Sequence, residues 1–65
     1  MVVIEVRDLA DKKIGYVYKF TIETDIIICK DKEDAKKYDF GIRTDRIQDI
    51  LNHSFMELVF EQKEV

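Results

Sequence analysis

The segment KIGYVYKFTIE, residues 13–23, constrains the fold more than any other part of the chain. Its even positions are Ile14, Tyr16, Tyr18, Phe20 and Ile22, with no charge among them; its odd positions are Lys13, Gly15, Val17, Lys19, Thr21 and Glu23. Strict alternation is the signature of a β-strand, in which successive side chains point to opposite faces. The pattern predicts a strand that buries the aromatic set and turns Val17 and Lys19 the other way.

The rest of the chain supplies neighbours for that strand. VVIEVRD (2–8) alternates as well, with Val2, Ile4 and Val6 on one side and Val3, Glu5 and Arg7 on the other. Between the two, LADKK reads as a hairpin connection. IIICK (26–30) follows the turn signal Thr24-Asp25 and carries apolar residues on both faces, as a covered strand would. DKEDAKKY (31–38) reads as a short helical turn, with Gly41 as a stop. Thr44 reads as the N-cap of a helix over 44–53, whose Ile47, Ile50 and Leu51 form an apolar stripe. SFMELVFEQ (54–62) reads as a last strand with Met56, Leu58 and Phe60 inward, although MELVFEQKE also tolerates helix. The expected architecture is α+β, in the order β-β-β-α-α-β. It consists of one small domain over 1–65, with a mainly antiparallel four-stranded sheet and one or two short helices on one face.

At 65 residues the chain buries only about 60% of the surface its unfolded form exposes, so core material is scarce. With 46% hydrophobic and 38% charged residues it still has enough apolar surface to offset chain entropy. Usage is rich in Ile, Lys, Asp and Glu, with one Asn, two Gln and no Pro, a bias that suits thermophilic proteins and AT-rich genomes alike. The longest apolar run is IIIC, far short of a membrane span, and MVVIEVRD carries no leader signature; the expectation is a soluble cytoplasmic protein. The net charge of −3 opposes non-specific duplex binding, which needs a basic patch.

Chemistry-bearing motifs are sparse. Cys29 is the one cysteine, which excludes an internal disulfide or a cysteine metal cluster, and it reads as a buried small hydrophobe. His53 is the one histidine; at a helix C-terminus it is favourable on electrostatic grounds. Asp31, Glu33 and Asp34 lack the glycine turn and distal glutamate of an EF-hand loop, and Asp45 and Asp49 read as a solvated helix face. Ser54 has no nucleophile-elbow glycines around it. No catalytic, cofactor or metal residues are expected, and the protein is expected not to be an enzyme.

Two functional readings compete. The face opposite the aromatics gathers Val3, Val17, Ile27, Phe55 and Val59, rimmed by Glu5, Arg7 and Glu57. An apolar centre with a charged rim is the form of an association surface. It points to a protein–protein interaction module, a small regulator or inhibitor, and to a homodimer through that face. The alternative is a single-stranded nucleic-acid binder using Tyr16, Tyr18 and Lys19. GYVYKF partly resembles the aromatic strand of RNA-recognition sheets, although Ile14 stands where that pattern has a basic residue and Val17 where it has a small one.

Overall fold

The computed structural model describes residues 1–21 and 25–65. Strands β1 (Val2–Asp8), β2 (Lys13–Phe20), β3 (Ile26–Cys29) and β4 (Leu58–Glu64) form one sheet in the order β3-β2-β1-β4. Every pairing is antiparallel. One helix, α1 (Ile42–Ser54), lies between β3 and β4 in the chain, so the molecule is α+β. The expected helical turn over 31–38 is a single 3-10 turn, Lys32–Asp34, followed by extended chain. The cause is local: no side chain caps that turn, and both flanking residues are extended.

Asp8 closes the β1–β2 connection. Its carboxylate accepts the backbone N–H groups of Ala10 and Lys12, both at 2.9 Å, and Asp11 adopts a left-handed φ of 65°. An aspartate tolerates that conformation better than most residues do. Two further bounds move. Gly41, not Thr44, precedes α1; Thr44 lies one turn inside, buried, its hydroxyl donating to the Asp39 carbonyl. The helix runs on through Ser54, so β4 begins later than the pattern suggested, and Met56 and Glu57 lie in the turn before it.

The largest departure lies in β2. Its partners run Arg7↔Lys13, Val6↔Gly15 and Glu5↔Tyr16 on one side, and Val17↔Ile28 and Lys19↔Ile27 on the other. Ile14 and Tyr18 are therefore extra residues, each a bulge that resets the alternation. Lys13, Tyr16 and Lys19 share one face, while Val17 and Phe20 share the other with Ile4 and Val6. The aromatic set is thus divided, correcting the expectation that Ile14, Tyr16, Tyr18 and Phe20 face inward together. Ile22 and Glu23, expected to continue this strand, lie outside the described residues.

The main core joins Ile4, Val6, Val17 and Phe60 of the sheet to Leu51 of α1, with Ile47, Phe55, Leu58, Phe20, Ile26, Ile28 and Tyr38 around them. On the opposite face, Ala35 of the segment after the 3-10 turn packs on Val3 and Tyr16, with Cys29 beside them.

Candidate functional site

The residues expected to form one association surface are dispersed. Val17 is fully buried in the helix-side core, and Phe55 packs there against Phe60 with ring centroids 6.1 Å apart. Val3 is sealed beneath Ala35. Glu57 sits exposed in the turn ahead of β4. Ile27 and Val59 do share a face, but on β3 and β4, which are opposite edges of the sheet. The apolar centre expected there is therefore not contiguous.

What that face does hold is an ion pair. Glu5, only 7% exposed, accepts a hydrogen bond of 2.7 Å from Arg7 Nε. Arg7 Nη1 donates to the Asp11 carbonyl at 2.9 Å and lies 3.6 Å from the Asp11 carboxylate. The Glu5 hydrogen bond holds the guanidinium pKa above its ordinary value, against the opposing effect of burial. Lys63 and Glu61 pair on the same side of β4 at 3.2 Å. Most of the charge on this face is neutralised within the chain itself.

The two edges of the sheet are finished differently. Along β4, helix α1 presents a polar stripe: Asn52 Oδ1 accepts the Phe60 N–H at 2.9 Å, and Gln48 Nε2 donates to the Phe60 carbonyl at 2.9 Å. Gln62 Nε2 then donates to Asp45 Oδ1 at 2.7 Å and to Gln48 Oε1 at 2.8 Å. Asn52, Gln48 and Gln62 are all the side-chain amides the sequence contains, and all three converge on this edge. At the other edge, the backbone of β3 pairs, among the described residues, with β2 alone. Ile27 there is 53% exposed, and Ile26 and Ile28 are only partly buried.

The helix explains the asymmetry. It packs chiefly on β4. A helix about 10 Å across covers roughly two strands spaced about 4.8 Å apart. The β2–β3 half of the same face, with Phe20, Ile26 and Ile28, is left half covered.

A second feature lies where β2 leaves β1. Beyond the Tyr18 bulge the segment 36–38 takes the place β2 vacates. Lys36 N–H donates to the Val17 carbonyl at 3.2 Å, and Tyr38 exchanges two 2.8 Å backbone hydrogen bonds with Val2. An open cleft of about 460 Å³ lies in this fork, lined by Tyr18, Lys19, Phe20, Lys36 and Tyr38. Of the nucleic-acid candidates, Tyr18 and Lys19 reach it. Tyr16 does not: it lies buried on the face that Ala35 covers, with Lys13 Nζ 5.4 Å from its ring centroid. Tyr38, with Phe40 and Ile42, reads from the sequence as candidate cover for the sheet, and Lys36 only as part of a helical turn. The signal available was Tyr38 and Phe40, two aromatics two apart just before Gly41.

The remaining reactive types have local roles. His53 Nδ1 donates to the Asp49 carbonyl at 2.8 Å, and Cys29 Sγ lies half-buried, 3.4 Å from the Asp31 carbonyl. Among the described residues no group of His, Cys, Asp and Glu is placed to hold a metal, and no helix is long and apolar enough to cross a membrane. Protein-family models, curated proteins and solved structures, compared with this chain, give no match.

Proposed function

We propose that the chain is a non-enzymatic protein-interaction module that self-associates, and that its working surface is the β3 half of the sheet. The observation that carries this reading is the contrast between the edges. Side chains from α1 close β4 at Phe60, whereas among the described residues β3 presents an unpaired backbone edge with Ile27 exposed and Ile26 and Ile28 half covered. An uncovered apolar edge is a template for another strand. The symmetric occupant is β3 of a second copy, pairing antiparallel across a two-fold axis. Such a dimer extends the sheet and sets Ile26, Ile27 and Ile28 beside their symmetry mates across the new seam. It moves the homodimer expected from the sequence off the charged face. Regulation or inhibition of a further protein is the role in which such a module serves.

Sedimentation velocity at micromolar concentrations tests it, with Ile27→Asp as the perturbation. A wild-type dimer that the substitution converts to a folded monomer is the expected result. A wild-type monomer throughout, or a dimer indifferent to the aspartate, overturns the proposal.

A further inference from the structure

The fork cleft has properties that self-association does not use. Three aromatic rings, Tyr18, Phe20 and Tyr38, line it, and Tyr18 is 52% exposed although nothing in the main core requires it at the surface. Lys19 and Lys36 line it as well. Neither forms an ion pair among the described residues; Lys36 Nζ lies instead 5.7 Å from the Tyr38 ring centroid. In a chain of net charge −3, with acidic groups outnumbering basic ones, this leaves local positive charge beside an aromatic lining. The volume, about 460 Å³, is that of a small-ligand site.

We propose that this cleft binds a nucleotide unit, with the base against Tyr18 and Phe20 and the phosphate between Lys19 and Lys36. Each part follows from the chemistry of the lining. Aromatic faces stack any planar base, and ammonium groups without carboxylate partners stabilise a phosphate. An uncharged aromatic ligand leaves both lysines unused, and a purely anionic one leaves the rings unused. The negative net charge of the whole molecule opposes a long polyanion, so the recognised unit is short.

An NMR titration at low salt tests this, with adenosine 5′-monophosphate in one arm and a short oligodeoxythymidylate in the other. Saturable shifts centred on Tyr18, Lys19, Lys36 and Tyr38 are expected. Combined Lys19→Ala and Lys36→Ala substitution, at two exposed positions, should weaken binding by about tenfold or more. Affinity that is higher for the oligonucleotide at these same residues assigns the unit to a strand end; equal affinity assigns it to a free nucleotide. Repeating the titration in Ile27→Asn, which adds no carboxylate opposite Lys19, keeps the result separate from self-association. Absence of saturable shifts in both arms, binding indifferent to the double substitution, or shifts produced only by an acidic peptide overturns the proposal.

Discussion

Gly15 and Tyr38 show how much a single position decides in this fold. A Cβ at Gly15 would stand 2.4 Å from the Cys29 carbonyl oxygen and 2.7 Å from Ile28 Cγ2. The first of these is backbone and cannot rotate away. Gly15→Ala is expected to cost about 1–3 kcal/mol by forcing β2 and β3 apart, read from urea unfolding. Tyr38 is the opposite case. Its hydroxyl is buried with no hydrogen-bond partner among the described residues, and burial raises its pKa above the ordinary tyrosine value. Because the folded state holds that proton more tightly than the unfolded chain, its contribution is complete below about pH 10 and is lost as pH rises through the folded value. Tyr38→Phe removes the unpaired hydroxyl and should raise stability by about 1 kcal/mol at neutral pH. It should also flatten the alkaline decline; an unchanged slope above about pH 10 refutes the assignment. The sequence marked Ile4, Val6, Leu51 and Phe60 as core because each sits on a clean period. Tyr38 was legible as apolar cover but not in its place, because it lies in neither a helix nor a named strand.

Elements were legible where their period was unbroken. β1, β4 and the body of α1 emerged from hydrophobic spacing, and so did the α+β class. β2 was legible as a strand but not in its faces. Each bulge shifts the phase by one residue, and two of them divided an aromatic set that looked continuous. Gly15 was the available signal, since glycine inside a strand marks a bulge or a close backbone approach. The α1–β4 contact was illegible for a different reason. Asp45, Gln48 and Asn52 look like a solvated helix face until β4 is placed beside them. Their worth is testable through Asn52, which accepts from the Phe60 N–H and donates to the Phe60 carbonyl at 3.3 Å. Asn52→Ala leaves a part-buried N–H without its acceptor and should cost about 1–3 kcal/mol. Asn52→Asp keeps an acceptor and should cost less. Equal losses for the two, measured by urea unfolding, contradict the role given to that bond.

At the scale of the molecule, the limiting quantity is covering material. A 13-residue helix and one turn of 3-10 helix cannot shield both faces of a four-stranded sheet. The segment through Ala35 closes part of one face, and α1 closes half of the other. If a second copy pairs along β3, folding and association are linked. The thermal midpoint should then rise with protein concentration in the wild type and stay constant in Ile27→Asp. Matching, concentration-independent midpoints in both would remove the need for a second copy. The shortage itself was legible from length; which half of the sheet would go short was not, because that depends on the tilt of α1 toward β4.

If the chain pairs through β3, the amides that hold β4 at Phe60 also bear on assembly size. Joining two sheets through their β3 edges leaves a double-length sheet whose two remaining edges are both β4, each already occupied by its own helix. Further addition at either β4 must then displace the amides held at Phe60, so the proposed assembly is expected to stop at two copies. In the proposed dimer, an exposed edge that otherwise invites fibres is consumed by a single partner.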